Sequence, residues 1–217
     1  MTEPSHVRAT RESYDTVAVD YAELLRTELA AKPYDRAMLA AFAELVQADG
    51  AGPVADIGCG PGRVTAHLDA LGVSAFGIDL SPAMVAVARQ AHPKLRFDEG
   101  SMTALDLKDD PLGGVLAWYS TVHTPPEELP VVFAEFHRVL APGGHLLIAF
   151  KVGDERVRLE HAYSHALSLD VYRLPPDRVA EELGRAGLAE TARLVREPAV
   201  DEPTPQAFLM ARKPGNC

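Results

Sequence analysis

The segment Val54-Ala-Asp-Ile-Gly-Cys-Gly-Pro-Gly-Arg-Val64 carries the residue types best suited to holding a ligand. A short apolar run gives way to three alternating glycines, Gly58, Gly60 and Gly62, and a helical pattern follows. Glycine is needed where a backbone turns sharply or must touch a ligand closely, and the start of the following helix offers unpaired N–H groups. Dinucleotide-binding folds use a similar loop, but their fingerprint is G-x-G-x-x-G. Counted from Gly58, that fingerprint puts its third glycine where Arg63 stands; here the third glycine is Gly62. About 20 residues beyond the loop, Phe76-Gly-Ile-Asp79 ends a second apolar run on a carboxylate. A carboxylate is an acceptor only, which suits the two donors of a ribose diol, and strand ends side by side are where open α/β sheets bind ligands.

A second set of residues has types suited to proton transfer. His123, in Ser120-Thr-Val-His-Thr124, follows an apolar run and precedes a helix, and a histidine there titrates near working pH and can take a proton. The same placement also suits a histidine that only packs and hydrogen-bonds at a helix start. His161, Tyr163 and His165 lie further along, where they either line an acceptor pocket or form a half-exposed strand face; His137 and His145 read as structural. Cys59 lies near a helix N-terminus, which lowers thiol pKa, but a small side chain in a tight loop is the simpler reason for it. With Cys217 it makes neither a disulfide framework nor metal-ligand spacing.

Positioning these groups falls to alternating elements. Helical spacing covers Tyr14 to Leu29, Tyr34 to Gln47 and Gly62 to Leu71. Ser81 and Pro82 read as N-cap and first position of a helix to about Ala91, and Thr124-Pro-Pro-Glu127 as a capping box opening a helix to about Leu140. Short apolar runs at Val54–Ile57, Ala75–Ile78, Leu95–Phe97, Gly114–Trp118 and His145–Phe150 are strands between them. This alternation predicts a doubly wound α/β fold, a mostly parallel sheet with helices on both faces. After Lys151, Val157–Tyr163 and Ala166–Leu174 alternate with period two as a small insertion, Pro175–Ala186 is helical, and Leu188–Val195 and Ala207–Arg212 bring the sheet to seven strands.

Three stretches, Asp56-Ile-Gly-Cys-Gly-Pro-Gly62, Gly77-Ile-Asp-Leu-Ser-Pro-Ala-Met84 and Leu140-Ala-Pro-Gly-Gly-His-Leu-Leu147, together resemble the class I S-adenosylmethionine-dependent methyltransferases, over roughly Tyr14 to Phe150. The resemblance implies a Rossmann-like methyltransferase fold in a single domain spanning 1–217. Its N-terminal helical lid would be 1–50, its cofactor-binding core 51–150, an acceptor cap 151–174, and a closing helix and strands 175–217. It implies S-adenosylmethionine as cofactor, with Gly58 and Gly60 along its methionine part, Asp56 near the ammonium and Asp79 on the ribose hydroxyls. Leu80 and Met84 would pack beside adenine or ribose, Ser101 and Met102 would line adenine, and Trp118 would lie beside the methyl group. Tyr14 and Tyr21, seven apart on one helix face, would close over the cofactor. Many relatives carry an acid near the position of Ser101, where this chain has a serine.

The chain has 217 residues, enough for one large domain, and a formal net charge of -10, which repels phosphate backbones. No apolar run approaches the ~20 residues that span a bilayer, and Met1–Glu12 lacks the pattern of a secretory signal, so a cytoplasmic protein is expected. The expected activity is methyl transfer to an oxygen or nitrogen of a small-molecule acceptor. A non-catalytic cofactor-binding subunit, a nicotinamide-dependent oxidoreductase and an RNA or protein methyltransferase stay open as alternatives.

Overall fold

The computed structural model describes residues 3–50, 52–163, 165–200 and 202–215; Cys217, noted in the sequence, lies outside them. At its centre β1 (Val54–Ile57) is buried on both faces, which is why its four residues show no alternation. It pairs in parallel with β2 (Ala75–Asp79) on one side and β4 (Leu112–Trp118) on the other. β3 (Phe97–Glu99) lies outside β2, and β5 (Leu140–Lys151) beyond β4, both parallel. The sheet is completed by β9 (Gln206–Arg212), antiparallel to β5, and β8 (Ala189–Arg196) at the far edge, giving the order β3-β2-β1-β4-β5-β9-β8. The seven expected strands are all present.

Side chains alternate across this sheet into two cores. One face packs α2 (Pro33–Asp49) and α3 (Arg63–Ala70) through Phe42, Val46, Val64 and Leu68 against Val54, Leu116 and Leu147. On the same face α4 (Pro82–Ala91) lies over β3 through Val85, Ala88 and Phe97. The other face takes α5 (Leu129–Val139) and α6 (Pro176–Arg185), with Phe133, Phe136 and Leu183 set on Ala55, Ile57 and Ile148. The remaining elements lie over the carboxyl ends of the strands. α1 (Ser5–Leu25) is followed by a 3-10 turn, Glu28–Ala31, and the insertion is a hairpin of β6 (Arg156–Ala162) and β7 (His165–Tyr172) outside the main sheet. Among the described residues no helix is long and apolar enough to cross a membrane.

Several boundaries differ from the sequence reading. The first helix starts at Ser5, well before Tyr14, and stops at Leu25, because its first turns are polar and carry little apolar periodicity. β3 sits two residues later than expected, paired as Gly77↔Phe97 and Asp79↔Glu99, since this edge strand ends on exposed polar residues. The capping box does not form. Two prolines tighten Pro126–Glu128 into a 3-10 turn, and α5 begins only at Leu129 with no side-chain cap. The Thr124 hydroxyl instead donates to Met102 Sδ at 3.6 Å. The cap at Ser81 does form: its Oγ accepts from the backbone N–H of Met84 at 3.1 Å.

Candidate functional site

The glycine loop leaves the end of β1 with positive φ at Gly58 (73°), Gly60 (54°) and Gly62 (79°). At Gly58 the space is as decisive as the angle, because an added Cβ would stand 2.3 Å from Ser120 Cβ beyond β4. Gly60 turns its N–H onto Asp79 Oδ2 at 2.7 Å, and the Ser81 N–H donates to Asp79 Oδ1 at 2.9 Å. Two backbone donors thus fix the orientation of the carboxylate and leave lone pairs on both oxygens facing the cleft. Burial pushes Asp79 above the usual carboxylate range, with the two N–H bonds acting in the opposite sense.

Asp56, on β1, is 1% exposed. Its Oδ2 accepts from the Thr65 hydroxyl at 2.7 Å, while Oδ1 is buried without a partner. Burial raises its pKa to about 7, against the pull of the Thr65 bond and the Arg63 charge. Cys59 is buried and pushed upward for the same reason, so the helix start confers no thiolate character and the small-residue reading fits.

A cleft of roughly 880 Å³, counted to its open mouth, runs across these strand ends. Gly58, Gly60, Asp79 and Leu80 form its floor on one side; Ser101 and Met102 follow β3, and Trp118 ends β4. Tyr14 and Tyr21 on α1 roof it, with ring centroids 5.8 Å apart and edge-on. An adjoining recess shares Tyr21, Gly58, Gly60 and Trp118 and adds Asp56. Met84, expected beside the cofactor, lines neither space. It is 1% exposed and packs against Val17 and Ala18, because the α4 face it occupies is the one that α1 covers.

His123 lies at the other end of the cleft, in a 3-10 turn, Thr121–His123. Its Nδ1 is 2.7 Å from the carbonyl oxygen of Asp170 in β7, which only accepts, so Nδ1 carries the proton. Nε2 is therefore the acceptor, and the Tyr14 hydroxyl donates to it at 2.8 Å. Burial lowers the histidine to about 4, so the ring is neutral at pH 7. Tyr163 packs on Tyr21, 5.1 Å away between ring centroids, without lining the cleft itself; His165 bonds Asp20 at 2.7 Å and His161 is exposed, and neither histidine lines the cleft.

Sequence reasoning missed the first turns of α1, where His6, Thr10 and Arg11 line the mouth of the cleft, and also Thr65 and Arg63. For α1 the segment's polarity concealed the role. For Arg63 the signal was present: a cation directly after the last glycine of a ligand loop.

Residues 54–144 match a family model described as a methyltransferase domain. That stretch, less than half of the chain, is similar to a methyltransferase domain. The demethylmenaquinone methyltransferase of Chlorobaculum parvum is 35% identical to this chain over 92 residues, 42% of this chain and 37% of the relative. The chain spans less than half the length of the curated relatives it matches. The methyltransferase fold is also that of the 1,6-didemethyltoxoflavin-N1-methyltransferase of Burkholderia thailandensis, solved with 1,6-didemethyltoxoflavin and S-adenosylhomocysteine. That structure has a TM-score of 0.71 and 20% identity, over 99% of this chain and 92% of the other. The cyclase SpnF has it too, at a TM-score of 0.69 and 18% identity over 100% and 99% of the two chains. At such identities the likeness concerns the fold, and the cyclase is a reminder that one fold hosts several chemistries.

Proposed function

We propose that this chain binds S-adenosylmethionine in the cleft and transfers its methyl group to an oxygen or nitrogen of a small-molecule acceptor. The observation that carries the reading is the donor and acceptor set gathered on the cleft floor. An oriented Asp79 carboxylate matches a ribose diol, and the orphaned Asp56 Oδ1 matches an ammonium. A glycine backbone bare of side chains lies between them. Leu80, Ser101 and Met102 offer the adenine a partly apolar slot, and Trp118 borders both spaces where a reacting centre would lie.

When bound, the sulfonium supplies an already activated methyl group, so the protein's task is alignment, exclusion of water and removal of a proton. Tyr14 and Tyr21 exclude water from above, with Tyr163 packed behind Tyr21. His123 is neutral and its Nε2 lone pair accepts from the Tyr14 hydroxyl, so in this reading a proton from the acceptor reaches it by way of that hydroxyl, which lines the cleft. In this reading the N-terminal 50 residues are the lid, 51–150 the cofactor core, 151–174 the acceptor cap, and 175–217 complete the sheet. The curated relative is named for a demethylmenaquinone and the fold neighbour holds 1,6-didemethyltoxoflavin, and both favour a ring-containing, partly apolar acceptor. The net charge of -10 disfavours a nucleic-acid acceptor.

Incubation of the protein with methyl-labelled S-adenosylmethionine and a panel of phenolic, heteroaromatic and amine metabolites tests this. A one-methyl mass gain on an acceptor, with S-adenosylhomocysteine as co-product, is expected. Binding without any turnover across the panel would favour the non-catalytic subunit, and binding of a nicotinamide cofactor instead would overturn the reading.

A further inference from the structure

The mouth of the cleft carries a charge that the cofactor reading leaves unused. His6, Val7, Thr10 and Arg11 line it from the first turns of α1. Among the described residues lining the cleft, Arg11 is the one arginine or lysine, and Asp79, on the floor, is the one carboxylate. No acid therefore lines the mouth to compete for an anion that enters there.

The guanidinium of Arg11 is already seated on a carboxylate. Its Nη1 and Nη2 donate to the two oxygens of Glu3, at 2.5 and 2.8 Å. Two parallel bonds of this kind are how arginine recognises a carboxylate with directional specificity. Glu3 precedes α1, and about a third of each side chain is exposed. Pairs so open to water contribute little, so an incoming carboxylate displaces Glu3 at small cost. His6 is tied in a similar way, 3.2 Å from Glu128 in the turn before α5.

We infer that Arg11 binds a carboxylate on the methyl acceptor, and that Glu3 fills this place while the acceptor is absent. Arg11 fits the role by position as well as by charge. It stands three residues before Tyr14, so the two share a face of α1, and both line the cleft. A helical turn rises about 5.4 Å. An acceptor whose reacting hydroxyl or amine lies at the Tyr14 hydroxyl then reaches Arg11 with an acid group about one turn away. This narrows the acceptor to ring-containing hydroxy or amino acids.

The inference rests on the cofactor and acceptor reading above, and the test separates the two. Titration calorimetry first measures S-adenosylhomocysteine. The protein saturated with it is then titrated with 3-hydroxybenzoate, 4-hydroxybenzoate and 4-aminobenzoate, each beside its neutral amide. In at least one pair the acid is expected to bind about tenfold or more tightly than the amide. In Arg11→Gln the two members of that pair should bind alike. Glu3→Gln, which empties the fork, should tighten the acid about two- to fivefold and leave the amide unmoved. Acids that bind no better than their amides in the parent would overturn the inference, whether both bind or neither does, and that result needs no variant. An acid preference that survives Arg11→Gln overturns it as well, since another cation would then be responsible. A parent that does not bind S-adenosylhomocysteine removes the cofactor reading, and this inference with it.

Discussion

His123 is held by three parts of the chain at once: its own 3-10 turn, the Tyr14 hydroxyl from α1 and the Asp170 carbonyl from β7. This geometry fixes a tautomer, and burial fixes the charge. The folded-state pKa of about 4 lies below the usual histidine value of about 6.5, so between these values the unfolded chain binds the extra proton. The contribution to stability is fully present above pH ~6.5 and is lost as pH falls through the folded value, up to about 3 kcal/mol. Denaturant unfolding from pH 4 to 7 should therefore show a steeper pH dependence in the parent than in His123→Gln. Parallel curves would mean that the ring is not held neutral. The place of this residue beside the cleft was legible in the sequence, because a histidine after a ligand-end strand is conspicuous. Its partners were not, since Tyr14 and Asp170 lie 109 and 47 residues away and only the fold brings them together. Met84 failed for the opposite reason. Its place in a motif was visible, but which face of α4 would meet α1 depends on packing that no local pattern encodes.

α1 and the β6–β7 hairpin are attached to the molecule differently from the other elements. α1 buries only Ser13, Val17 and Ala18, and it leaves Val19 and Leu24 exposed. What holds it is largely polar: Asp15 accepts from the Ser81 hydroxyl at 2.6 Å and from the Ala83 N–H at 3.2 Å, beside the Asp20–His165 and Tyr14–His123 bonds. Elements with few apolar contacts open at a lower free energy than the core. Amide exchange should be faster in α1 and the hairpin than in β1, β4 and β5, and saturation with S-adenosylhomocysteine should slow it in α1 and the hairpin selectively. Exchange in α1 as slow as in β4 without ligand would contradict a lid that opens. The same physics explains where element boundaries were hard to read. Strands buried on both faces announce themselves as apolar runs, as β1 and β4 do. A helix with so few buried residues gives a weak helical signal, so its first nine residues were not recognised as helix.

At the scale of the molecule, alternation of elements was enough to give the sheet and its helical layers. Parallel strands need crossover helices, and each of the five parallel strands is followed or preceded by one. The topology leaves open what the fold does, since a cyclase shares it. What separates the possibilities is whether the folded chain alone recognises an adenosyl sulfur compound, and mass action makes that a property of global stability. A ligand at a hundred times its Kd adds about 2.7 kcal/mol to a state that binds it and nothing to the unfolded chain. For a chain of this size each kcal/mol moves Tm by roughly 2–4 °C, so S-adenosylhomocysteine at that excess should raise Tm by about 5–10 °C. NAD and NADP at equal concentration should leave it unmoved, because neither has an ammonium to satisfy the unpartnered Asp56 Oδ1. A shift with the nicotinamides and none with the sulfur compound would reverse the assignment of the cleft, while every strand and helix kept its place.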